Sequence, residues 1–123
     1  MKDIQNRKDI EFLVDTFYTQ LLVDDLIGVF FTDVIKLNWE IHIPIMYDFW
    51  EMILLGGTTY KGNPMLKHIQ LNNKKALDAT HFDRWLSIWE KTIQENYQGE
   101  RADMAIQRAN NIGALMQFKI KTA

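Results

Sequence analysis

Apolar positions along this chain recur three and four residues apart, and nowhere do they alternate as a half-buried strand would require. Ile10, Leu13, Phe17 and Leu21 form one stripe, with Asn6 ahead of them as an N-cap. They predict a first helix ending near Asp24-Asp25. A short turn-like piece, LIGVFF (26–31), follows, with Gly28 loosening the backbone. Asn38 can cap a second helix with Glu40 in its first turn. Its predicted stripe is Ile45, Phe49, Met52 and Ile53, which continues past Pro44. Gly56-Gly57 and then TTYKGNP (58–64) break the pattern. Asn63-Pro64 reads as the start of a very short helix holding Met65, Lys67 and His68, ended by Asn72-Asn73. Thr80 reads as the N-cap of a long helix, with Asp83 in the capping-box position. Its stripe is Phe82, Trp85, Leu86, Trp89 and Ile93, and Gly99 stops it. A last helix runs from about Glu100 to Lys119. The expectation is all-α and a single domain over residues 1–123, with loose segments at 24–37 and 54–79.

Composition narrows the chemistry. The chain has no cysteine, which excludes disulfides, thiolate metal sites, iron–sulfur clusters and cysteine nucleophiles. Net charge is −2, so no global basic field draws it to nucleic acid, and no nucleic-acid partner is expected. The acids and bases are split unevenly: residues 1–60 hold ten acids and four bases, residues 61–123 six and ten. The basic half could face an anionic small molecule, or simply be solvated helix surface. Pro44, Asp48 and Glu51 interrupt the longest weakly charged region, so no membrane span is expected, and the N-terminus lacks a signal-peptide apolar stretch. The expected location is the cytoplasm. No long heptad pattern appears, so a monomer is expected. Four tryptophans in a short helical chain remain to be explained.

Several site types fail on their residues. There is no GxGxxG and no Walker loop. None of the glutamates has a histidine three positions on, so the Glu-x-x-His pairs of a di-iron bundle are missing. Ser87 is the only serine. The histidines are His42, His68 and His81. His81 follows a helix start and reads as exposed. His42 and His68 lie on different helices, and two such histidines can face each other across a flat cofactor such as haem. On spacing alone, a lone histidine on a short helix such as that of His68 is more often structural than a ligand.

The strings FYTQLL (17–22), IGVFF (27–31), WEIH (39–42), DFWEMILLG (48–56), YKGNPM (60–65) with His68, HFDRWLSIW (81–89) and RANNI (108–112) stand together in order. In these the chain resembles the truncated haemoglobins, specifically their group III, over most of its length from Asp9 to Lys119. The resemblance implies a truncated globin fold, a two-over-two helical sandwich around haem b. It implies His68 as the proximal iron ligand and Phe31 as the ring lying flat on the haem. It makes Tyr18, His42 and Trp85 the distal polar residues and Met46 the apolar distal wall. Lys67 falls at the haem rim, with Tyr60, Lys61 and Arg84 as weaker candidates for the propionates. The implied ligands are O2, CO and NO, and an external electron donor or reductase would serve any reduction cycle. Two open alternatives follow. One is NO or peroxide turnover rather than ligand stabilisation. The other is a haem-free helical interaction module that uses the same aromatic face for a partner.

Overall fold

The computed structural model describes residues 1–28, 39–57 and 79–122. Four helices fall within them: α1 (Arg7–Leu22), α2 (Trp39–Leu55), α3 (Ala79–Asn96) and α4 (Glu100–Thr122). No strand occurs among the described residues. The expected short helix around His68, and much of both loose segments, lie outside them.

Helix α1 starts as its sequence dictates. Asn6 takes extended backbone angles and its Oδ1 accepts the Asp9 N–H at 3.0 Å. Ile10, Leu13, Phe17 and Leu21 are all buried, each contributing about 2 kcal/mol of transfer free energy. The helix ends at Leu22, two residues before the expected Asp24. Asp24 instead shapes the following turn, its Oδ1 accepting the N–H groups of Leu26 at 2.9 Å and Ile27 at 3.0 Å.

Helix α2 buries a different face from the expected one. Ile45 and Met52 are exposed, whereas Trp50 and Leu54 join Phe49 in the core, with Ile53 partly buried. The physical reason is that α2 is apolar nearly all round, so its periodicity singles out no face. Tertiary partners decide instead: Trp50 stacks on Trp89 of α3, with ring centroids 4.5 Å apart. The helix runs on past Pro44, which lacks the N–H that would bond back to Glu40 in the first turn.

Helix α3 begins at Ala79, so Thr80 lies inside the first turn rather than capping it. Its stripe holds: Phe82, Trp89 and Ile93 are buried and Trp85 and Leu86 pack against the core. His81 is half-buried rather than exposed.

Helix α4 runs three residues beyond the expected Lys119. It begins directly after Gly99, whose φ of +148° suits glycine and whose missing side chain cannot cap. The cap comes from the far end of the chain. Asp3 Oδ2 accepts the Arg101 N–H and Oδ1 the Ala102 N–H, both at 2.9 Å. Ile4 beside it is fully buried, and Arg101 Nη1 donates to its carbonyl.

Two helix pairs, α1 with α2 and α3 with α4, lie against each other so that α1 also meets α3 and α2 meets α4. The core between them is largely aromatic on one side. On the other, Ala102, Ala105 and Ala109 let α4 approach closely.

Candidate functional site

Tyr18, His42 and Trp85 come together from three helices. Tyr18 follows Phe17 on α1, one position off the buried stripe, yet it is only 8% exposed. Its hydroxyl and His42 Nε2 share a hydrogen bond of 3.1 Å, with the rings edge-on at 82°. Burial raises the phenol well above its ordinary value, so it stays protonated throughout the physiological range. The Phe17 ring joins this pair to α3. It meets Tyr18 edge-on at a centroid distance of 5.0 Å and Trp85 at 5.1 Å. Trp85 is half-buried, and its indole N–H has no acceptor among the described residues. Met46, one turn beyond His42, packs against the core.

The tautomer of His42 decides what Tyr18 can do. If Nε2 is bare it accepts the phenol proton, and that proton is then occupied. If Nε2 carries hydrogen it donates to the phenol oxygen, and the Tyr18 O–H points away from His42 instead of toward it. Together with the Trp85 N–H, the pocket then offers two uncharged donors toward a bound molecule.

Arg84 lies on the neighbouring surface. Its Nη1 sits 2.8 Å from Asp24 Oδ2 and 3.5 Å from Asp25 Oδ1. Burial would raise the Asp24 carboxyl, but the Ile27 N–H, Arg84 and the Leu26 N–H outweigh it and hold it below its ordinary value. Arg84 thus ties the turn after α1 to the start of α3, and its other nitrogen atoms are what it can offer an outside anion. Phe31, Tyr60, Lys61, Lys67 and His68 lie outside the described residues.

Sequence reading passed over a second polar cluster, where α1 meets α2. Arg7 Nη1 is 2.8 Å from Asp48 Oδ1 and 3.4 Å from Glu51 Oε1, its Nε is 3.1 Å from Glu11, and its guanidinium lies over the Tyr47 ring. The Tyr47 hydroxyl donates to Asp15 Oδ1. The only sequence signal was the crowding of acids in residues 1–60.

The uncharged donor set fits haem with a small ligand: an O–H, an N–H and an imidazole stabilise partial negative charge without adding a fixed charge of their own. Comparison with known proteins agrees. The model of the bacterial-like globin family matches residues 3–118. A group 3 truncated haemoglobin (ctb) of Campylobacter jejuni is 29% identical over 115 residues, which cover 91% of this chain and 88% of that one. The crystal structure of the group III truncated haemoglobin from Campylobacter jejuni superposes with a TM-score of 0.82 at 27% identity. It covers 98% of this chain and 95% of that one. The all-α truncated globin fold and the group III resemblance are thereby borne out.

Proposed function

The chain belongs to the bacterial-like globin family, which implies haem and diatomic gases, and we propose that it stabilises or chemically converts such a gas rather than transporting it. The hydrogen bond between Tyr18 and His42, with Trp85 set against the same Phe17 ring, is the observation that carries this reading. Haem b, once bound, supplies the iron that takes up O2, CO or NO. His68 would hold the iron in this reading, its imidazole kept neutral with one nitrogen available to the metal. Tyr18 and Trp85 donate to the outer atom of the gas, where negative charge gathers, and so slow its release. His42 orients the Tyr18 proton and swings aside to admit ligand. Phe31 and Met46 wall the pocket, and Lys67, Tyr60 and Arg84 meet the propionates.

The sequence carries no flavin or nicotinamide motif, so turnover of NO or peroxide draws on an external electron donor. The expected working form is a cytoplasmic monomer. Among the described residues no helix is long and apolar enough to cross a membrane.

An absorption spectrum of the ferric, ferrous and CO-bound protein tests the reading. A Soret band that survives gel filtration and is lost or weakened in His68→Ala is expected. Colourless protein that fails to take up hemin overturns it in favour of a haem-free interaction module.

A further inference from the structure

Three tryptophans form a near-parallel column through the core. Trp85 and Trp89 of α3 have ring centroids 6.0 Å apart and planes 18° apart, and Trp89 and Trp50 of α2 are 4.5 Å and 26° apart. Core filling requires apolar volume, not three stacked indoles, and indole is among the most readily oxidised side chains. At these separations the rings are close enough to exchange an electron. Trp89 is fully buried and its Nε1–H donates to the Ala105 carbonyl at 3.1 Å. A carbonyl is a poor base, so an electron vacancy on Trp89 is not trapped there by loss of the proton.

The column has one end at the proposed pocket and the other near a proton acceptor. Tyr47 precedes Trp50 by three residues on α2, which sets their Cβ atoms about 5–6 Å apart. It is half-buried, and its hydroxyl donates to the Asp15 carboxylate on the exposed side of α1. A phenol already bonded to a carboxylate can give up an electron and its proton together, which makes it the thermodynamic end of such a chain. Arg7 over the Tyr47 ring, with Glu11, Asp48 and Glu51 around it, completes the charged surroundings.

We propose that Trp85, Trp89, Trp50 and Tyr47 form a relay that carries oxidising equivalents from the pocket to the protein surface, ending as a neutral tyrosyl radical on Tyr47. The oxidant is hydrogen peroxide in the pocket. An electron leaves Tyr47, passes through Trp50 and Trp89 to Trp85, and goes on to the oxidant, while the Tyr47 proton moves to Asp15. A hydrogen-atom donor of the ascorbate or phenol class then restores Tyr47 at the surface. Two such cycles, with two protons, reduce one peroxide to two waters. The relay rests on the proposed function only for the source of the oxidant.

Freeze-quench electron paramagnetic resonance after mixing haem-loaded protein with hydrogen peroxide tests it. Wild type is expected to give a tyrosyl signal. Tyr47→Phe should lose that signal and show a tryptophanyl one instead, and Asp15→Asn should delay tyrosyl formation. Both changes lie outside the buried core. A tyrosyl signal undiminished in Tyr47→Phe places the radical elsewhere and overturns the relay, as does peroxide consumption without any protein radical. Should the protein take up no haem, the functional reading fails but the relay is still testable on the full chain. Azide radicals from pulse radiolysis oxidise indole directly. Decay of the indolyl absorption into tyrosyl absorption, at a rate independent of protein concentration and absent in Tyr47→Phe, supports the relay. Indolyl decay without tyrosyl growth overturns it.

Discussion

At the scale of single residues, the site turns on where one proton points. Tyr18 is buried, and that burial raises its phenol, so it is a donor at every physiological pH. Removing a hydrogen bond to a partly charged ligand atom costs about 1.5–3 kcal/mol. Tyr18→Phe is therefore expected to speed O2 release by roughly 10–150-fold, measured by stopped flow. Release that is already fast and unchanged in Tyr18→Phe refutes the stabilising role. In the same series His42→Ala should raise the association rate, and an unchanged rate rules out a gate. Tyr18 also shows how far periodicity reaches. It lies one position off the stripe of Phe17 and Leu21, so spacing alone favours a half-exposed surface tyrosine. Only the surrounding string FYTQLL pointed inward.

At the scale of elements, the helices whose apolar residues form a single stripe were legible from the chain. The α1 stripe is buried as expected, and so is the α3 face of Phe82, Trp89 and Ile93. In α2 the stripe was misplaced because nearly every face is apolar, and only contact with Trp89 selects Trp50. The cap of α4 was invisible locally because its donor-satisfying side chain, Asp3, lies 98 and 99 positions away from Arg101 and Ala102. A negative sign was nevertheless present: a helix starting after glycine has no capping side chain of its own and must borrow one. Burial alone would raise the Asp3 carboxyl, but the N–H groups of Arg101, Ala102 and Ile4, with the Arg101 charge, outweigh it and hold it below its ordinary value. Asp3→Ala is expected to cost about 1–2 kcal/mol in urea denaturation near neutral pH. Because the folded carboxyl is lowered, this contribution is present above its ordinary value and lost as pH falls through the lowered one. The deficit of Asp3→Ala relative to wild type should thus shrink in acid; a deficit that does not depend on pH contradicts the ionic cap.

For the whole molecule, the two helix pairs are joined by apolar packing inside and by a few charges outside. Arg7 is the main charged tie between α1 and α2, but it and its partners are partly exposed, so water and salt screen it. Arg7→Gln is expected to lower stability by about 1 kcal/mol or less at low ionic strength, and by still less at high salt. Thermal unfolding at two salt concentrations checks this, and a salt-independent loss would assign the effect to packing over Tyr47 instead. The Asp3 clasp has a different consequence, one of timing. On the ribosome Asp3 is synthesised 98 residues before the Arg101 amide it holds. Ile4 likewise waits for the Arg101 side chain that grips its carbonyl. While α1 can wind as it emerges, Asp3 has no helix end to cap until α4 begins. A nascent chain stalled before residue 101 therefore carries Asp3 without the amides it caps and the Ile4 carbonyl without the Arg101 side chain that grips it.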